Sequence, residues 1–207
     1  MLVATIYAFR RRPQDFYEWM HPLAGLIMAA EPNAAHIALA DLEAHGPLRA
    51  VITQNIDMLH HLAGSQNIYE VHGHLRRATC IACFDEIDAK ELLRTFVDTA
   101  EVPFCAKCGG VMKPNVTLFG ELPPMQTLKK AERAALACDL MLVAGSSLEV
   151  LPVGELPELA KQTGAQLIIV DLRETHVDEV ADVVIRGDVC DVLPRLAAPF
   201  RARTGAA

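Results

Sequence analysis

The stretch "DLMLVAGSSLEVLPVGELPELAKQTGAQLIIVD" (Asp139–Asp171) decides the fold class. "LMLVA" and "LIIV" are short unbroken runs of apolar residues, the pattern of strands buried on both faces. Each ends in a residue that stops a strand: Gly145 followed by two serines, and Asp171. Between them "GELPELAKQTGA" has helical periodicity. The same punctuation extends outward. "LRAVIT", "NIYEVHG" and "ADVVIRG" read as further strands, and "QTLKKAERAALA" and "DVCDVLPRLA" as further helices. Strand-helix alternation of this kind predicts a parallel, doubly wound α/β sheet.

Two segments depart from the rhythm. Residues 13–45 carry two helical patterns, "PQDFYEWMHPLAGLIMAA" and "NAAHIALADLEAHG", the second opening at a capping Asn and closing at Gly46. Residues 76–114 hold two Cys-x-x-Cys pairs, an acidic helical piece "DEIDAKELLRTFVD", and the glycines 109 and 110. The expected organisation is a large domain from residues 1–75 and 115–207, with residues 1–45 partly in a small helical module, and a metal-binding insertion at 76–114.

Composition narrows the function. The chain has 207 residues, 52% hydrophobic and 22% charged, which suits a globular protein with a substantial core. Its 26 acidic and 19 basic residues give a net charge of -7, so no overall field draws in nucleic acid or anionic lipid. Arg10-Arg11-Arg12 reads as a solvated helix entrance. The start "MLVATIYAFRRR" places its charges after the apolar run, unlike a signal peptide, and no run of 18 apolar residues suggests a membrane span. Six cysteines in a chain of this size, four of them in two pairs, point to metal chemistry in a reducing, cytoplasmic compartment.

Cys80-x-x-Cys83 and Cys105-x-x-Cys108 fit a two-knuckle site in which four thiolates close a tetrahedral shell around one Zn²⁺. Residues 84–104 separate the pairs, slightly more than is usual for such sites. Redox-active pairs or disulfides are the alternative. A closed four-sulfur shell leaves no position for water, so the zinc is expected to be structural, with the chemistry elsewhere. Cys138 and Cys190, in apolar helical settings, read as packed core thiols.

Ligands of open α/β sheets bind beyond the carboxyl ends of the strands. Thr53–Asp57, His72-Gly73, Gly145-Ser146-Ser147, Asp171 and Gly187-Asp188 all fall there. Small residues allow backbone to approach a phosphate, and an acidic residue suits ribose hydroxyls, so a nucleotide is the natural ligand. Each residue also has a plainer reading as a cap or turn, and it is the coincidence of five that favours a site. His72, before a glycine and expected to face the "TQNID" cluster, is the candidate general base. His60 and His61, on the following helix, are weaker candidates. His21, His36, His45, His74 and His176 are read as structural.

Taken in order, "PNAAHIALADLE", "TQNIDMLHHLAGS", "EVHGHL", the two cysteine pairs, "KPNVTLFGELP", "AGSSLEVLP" and "IIVDLRET" resemble the sirtuins, NAD-dependent protein lysine deacylases. The likeness runs from about residue 3 to residue 196. It implies a Rossmann-like large domain, a small domain with a zinc ribbon, and a substrate cleft between them. It makes Gln54, Asn55, Ile56 and Asp57 the floor of the nicotinamide and ribose pocket, with Asn55 and Asp57 serving catalysis beside His72 as base. In the sirtuin reaction the acyl-lysine carbonyl oxygen attacks the anomeric carbon of the nicotinamide ribose and expels nicotinamide. The histidine then deprotonates a ribose hydroxyl, which attacks the resulting imidate. Gly145, Ser146 and Ser147 resemble the phosphate and ribose loop. Asp171 stands where relatives commonly have asparagine on the adenosine ribose, and Cys190, Asp191 and Val192 resemble the adenine wall. Val116, Thr117, Phe119, Gly120 and Glu121 on one side, and Leu148 and Val150 on the other, resemble edges between which an acylated-lysine peptide adds as a strand.

Two departures stand out. Thr117 replaces a commoner valine in the acyl-lysine tunnel, which bears on acyl preference. The chain also shows no counterpart of the sirtuins' first strand, Gly-Ala-Gly loop and Pro-Asp-Phe-Arg segment. Loss of that central strand is expected to leave two unpaired strand edges and to remove the main diphosphate contacts. Two functional expectations follow: a deacylase whose sequence is incomplete at its N-terminus, or a zinc-stabilised peptide-binding module without turnover.

Overall fold

The computed structural model describes the backbone of residues 3–204 and the side chains of residues 3–201. In chain order the elements are α1 (Ile6–Arg11), α2 (Pro13–Ala29), α3 (Ala34–His45), β1 (Val51–Thr53), α4 (Leu59–Ala63), β2 (Ile68–Glu70), β3 (Gly73–Cys80) and β4 (Glu86–Asp88). They continue with α5 (Lys90–Thr99), β5 (Met112–Val116), α6 (Met125–Ala137), β6 (Leu140–Ala144), α7 (Leu156–Gln162), β7 (Gln166–Asp171), β8 (Val183–Arg186) and α8 (Val189–Thr204). They fall into two compact units. The first comprises residues 1–30, 55–58 and 72–124, and the second residues 31–54, 59–71 and 125–207. No single helix among the described residues is long and apolar enough to cross a membrane.

The first unit is built on the antiparallel sheet β4-β3-β5. Its core packs α1, α2 and α5 through Phe9, Phe16, Tyr17, Met20 and Phe96 against Leu75, Ala78 and Met112 of the sheet. Phe9, Phe16 and Tyr17 stand edge-on or tilted to one another at 5.0–6.0 Å, the geometry aromatic quadrupoles favour. The Tyr17 hydroxyl, enclosed in this core, donates to the Met112 carbonyl at 2.5 Å. Burial pushes its phenol well above the ordinary tyrosine range.

The second unit holds the parallel strands. Strand β7 pairs with β6 on one side and β8 on the other, both in parallel, and β1 pairs in parallel with β2. Ile168 and Val170 face the layer of α3 and α8, whereas Leu167 and Ile169 face Leu148 and Val177 on the opposite side. Helices α6 and α7 cover Ile52, Tyr69 and Met141 through Leu128, Ala131 and Leu156. Asn33 caps α3, accepting from the backbone N–H groups of Ala35 and His36 while His36 Nδ1 accepts from the Asn33 N–H.

The parallel strands form two sheets, β1-β2 and β6-β7-β8, with no strand pairing between them among the described residues, so β1 and β6 are each paired along one side only, in line with the two unpaired edges expected from the sequence. Other sequence expectations need correction. Burial on both faces holds for β7 but not for β8, where Val183 and Val184 are exposed because an end strand has one neighbour. The acidic piece read as one helix splits. Residues 86–88 extend and pair with Thr79–Arg77 of β3, and only Lys90–Thr99 is helical. Strands β3 and β5 carry charged and polar residues on one face, which hid their alternation.

Candidate functional site

Within the first unit His72 and segment 116–121 meet at the start of β3. His72 is half-buried and hands its carbonyl oxygen to the Thr117 N–H at 2.8 Å. The next residue has to be glycine. Gly73 has a φ of +78°, and a Cβ there would sit 2.1 Å from the Asn115 carbonyl oxygen. Residues 55–58 belong to the same unit as His72. Ile56 packs against its core while Asn55 is exposed and Asp57 half-buried, so one apolar anchor fixes the polar residues on either side.

Segment 116–121 is tied down over its whole length. Gly73 pairs with Val116 at the end of the β3–β5 ladder. The Phe119 N–H donates to the Ala4 carbonyl at 2.9 Å, and the Ile6 N–H to the Phe119 carbonyl at 3.0 Å. Gly120 lies against Tyr7, with a φ of +86°. Glu121 turns its carboxylate inward: Oε2 accepts the Leu118 N–H at 2.9 Å and lies 2.9 Å from Lys113 Nζ. Lys113 stands before Pro114 in the quoted "KPNVTLFGELP", yet its pattern carried no signal of this contact.

In the second unit the expected nucleotide-binding residues occupy strand ends. Gln54 follows β1, and its Nε2 donates to the Val150 carbonyl at 3.4 Å. Gly145 follows β6 with a φ of +60°, and its N–H continues the ladder to the Val170 carbonyl. Ser146 Oγ accepts the Leu148 N–H at 3.4 Å, and Ser147 is exposed. Asp171, buried at the end of β7, accepts the Arg173 N–H at 2.8 Å. Asp188 caps α8 through the Cys190 N–H. Cys190 and Val192 pack into the core beneath α8 while Asp191 is exposed. Burial raises the Cys190 thiol, as it does that of Cys138. His60 and His61 lie on α4 as expected, with the His60 ring 4.8 Å from that of His36 and His61 Nε2 3.2 Å from Glu70 Oε1.

The four paired cysteines converge. Their sulfurs all lie within 4.8 Å of one another, with Cys80–Cys108 at 3.5 Å and Cys83–Cys105 at 3.7 Å. A tetrahedral zinc with metal-sulfur bonds of about 2.3 Å needs sulfurs roughly 3.8 Å apart, so the set fits. The Ala82 N–H donates to Cys80 Sγ and the Gly110 N–H to Cys108 Sγ, each at 3.4 Å. A Cβ on Gly110 would come within 2.8 Å of Cys80 Sγ, so the knuckle needs glycine there. The Cys83 backbone N–H leads the contacts that lower the Cys80 thiol to about 6. For Cys83 the Asp85 N–H acts in the same direction, but the crowding sulfurs prevail and push its thiol up to about 12.

The sequence pattern of the Sir2 family matches residues 2–152, most of the chain. The chain belongs to the Sir2 family. It is 45% identical over 195 residues to NAD-dependent protein deacylase 2 of Archaeoglobus fulgidus, a match covering 94% of this chain and 76% of that protein. An NAD-dependent protein deacetylase of Sulfurisphaera tokodaii is 41% identical, with 98% and 80% covered. Among solved structures, Sir2Af2 bound to a myristoylated histone peptide superposes with a TM-score of 0.88 at 42% identity, covering 97% of this chain and 85% of that one. Sir2Tm bound to a propionylated peptide gives 0.87 at 35% identity, covering 99% and 84%. The α/β architecture with parallel sheets is thus that of the Sir2 fold.

Proposed function

We propose that this Sir2 family member is an NAD-dependent protein lysine deacylase, acting on acylated-lysine peptides in a reducing, cytoplasmic setting. The observation that carries this reading is the 45% identity to a deacylase over 94% of the chain. NAD supplies the ribose that accepts the acyl group as nicotinamide leaves. Gly145, Ser146, Ser147 and Asp171 hold its phosphates and ribose at strand ends, where a left-handed glycine and a buried carboxylate suit such a ligand. Gln54, Asn55, Ile56 and Asp57 form the nicotinamide floor, and Cys190, Asp191 and Val192 the adenine wall. The imidazole of His72 takes the proton from a ribose hydroxyl, its backbone fixed by Thr117 on one side and Gly73 on the other. One structural zinc sits on Cys80, Cys83, Cys105 and Cys108. The closed sulfur set gives it no part in the chemistry.

A second reading, a zinc-stabilised peptide-binding module without turnover, draws on the separation of β1-β2 from β6-β7-β8, which interrupts the sheet carrying the nucleotide residues. One assay separates the two. The deacylase releases nicotinamide from NAD when an acetyl-lysine peptide is present, and Asn55→Ala and Asp57→Ala each reduce that release sharply. Peptide binding without release supports the module, and unchanged rates in both variants put the nicotinamide pocket elsewhere.

A further inference from the structure

We propose that Lys113 is a positioning residue: its ammonium and the Glu121 carboxylate form a clasp that holds segment 117–120 in shape for the acylated-lysine peptide. The peptide role rests on the deacylase reading. The clasp itself rests on geometry within one unit.

Strand β5 alternates, with Met112, Pro114 and Val116 buried, so Lys113 projects from the other face. An exposed lysine is expected there. Instead its side chain is only 13% exposed, and the ammonium reaches two carbonyl oxygens of the strand and one carboxylate oxygen beyond its end. Nζ lies 2.8 Å from the Val116 carbonyl, 3.3 Å from the Pro114 carbonyl and 2.9 Å from Glu121 Oε2. The same Glu121 oxygen accepts the Leu118 N–H, and the Glu121 N–H returns to the Leu118 carbonyl at 2.9 Å. One ammonium and one carboxylate therefore close the chain from Val116 to Glu121 into a compact turn. At 24% exposure the Glu121 side chain is partly shielded, and bonds between charged partners in such a setting exceed the strength of neutral ones.

The turn closed by this pair carries Thr117, whose N–H holds the His72 carbonyl, and Phe119, whose main chain is taken up by Ala4 and Ile6. Glu121, expected from the sequence to line the peptide edge, directs its carboxylate into the protein. It shapes that edge from behind. Loss of the clasp loosens residues 117–120 while leaving the strand-end nucleotide residues of the other unit unaltered.

Lys113→Met keeps the aliphatic stem and removes the charge, and Lys113→Arg keeps the charge. Steady-state kinetics with NAD and an acetyl-lysine peptide are expected to show KM for the peptide raised about tenfold or more in Lys113→Met, the scale of one charge-assisted hydrogen bond. KM for NAD is expected to hold, and Lys113→Arg to recover most of the loss. Glu121→Gln, which retains an acceptor for Leu118, is expected to fall between them. Hydrogen exchange of the Leu118 amide, measured without substrates, is expected to quicken in Lys113→Met. Unchanged exchange at Leu118 overturns the clasp. Faster exchange with a peptide KM within twofold of the parent overturns its positioning role. Absence of turnover in the parent chain instead counts against the deacylase reading, because the exchange measurement reads the clasp alone.

Discussion

The backbone N–H of Thr117 donates to the carbonyl oxygen of His72 at 2.8 Å, joining the proposed base to the proposed peptide edge through the main chain. Both residues lie in the unit that holds the cysteine cluster, and their neighbours Gly73 and Val116 are partners in the β3–β5 ladder. The backbone position of His72 is therefore set by strand pairing, and the paired cysteines lie at the far end of the same two strands.

Gly73→Ala tests that arrangement. The substitution places a methyl group 2.1 Å from the Asn115 carbonyl oxygen at a φ of +78°. A left-handed alanine alone costs about 1 kcal/mol, and the collision adds to it, so a loss of roughly 2 kcal/mol or more is expected in urea unfolding. A midpoint equal to that of the parent contradicts the close approach.

Metal analysis addresses the cysteines. One zinc per chain is expected, with Cys80→Ser falling well below stoichiometry. Cys80 and Cys105 are also buried in the first unit's core, so chelation is expected to lower the melting temperature as well. Full zinc retention by Cys80→Ser excludes this ligand set.

Tyr17→Phe removes a hydroxyl bonded to the Met112 carbonyl inside the core. The carbonyl loses a partner where water does not replace it, and a destabilisation of about 1–2 kcal/mol is expected. An unchanged denaturation midpoint argues against the bond.

Asp182 provides a pH test. The Lys161 ammonium at 2.8 Å, followed by the Leu167 N–H at 2.6 Å, holds its carboxyl below the usual range. A depressed folded-state value means the contribution is present above the unfolded aspartate value of about 4 and fades as pH falls through the folded one. Asp182→Asn is thus expected to lower the urea midpoint at pH 7 and to converge with the parent in strong acid. A constant difference at every pH contradicts the assignment.

The parallel strands were legible because β6 and β7 are unbroken apolar runs ended by glycine and aspartate, and α3 because Asn33 and Gly46 mark both ends. The cysteine set was legible from spacing alone. Strand β4 was not, since Glu86, Ile87 and Asp88 are all exposed and are extended only by pairing with β3. The Lys113–Glu121 contact was equally hidden, because it joins two charged residues eight positions apart through a turn whose shape depends on the N-terminal segment. Patterns show which face a residue presents, not which distant partner waits there.

The central claim is that His72 acts as general base in an NAD-dependent deacylation. Nicotinamide and deacylated peptide are to be quantified together, for the parent chain and His72→Ala, with and without an acetyl-lysine peptide. The parent is expected to release nicotinamide only when the peptide is present. His72→Ala is expected to lose at least about 10²-fold in deacylated product, the lower part of the usual general-base range. Undiminished deacylation by His72→Ala, or no peptide-dependent release of nicotinamide by the parent, would contradict the account.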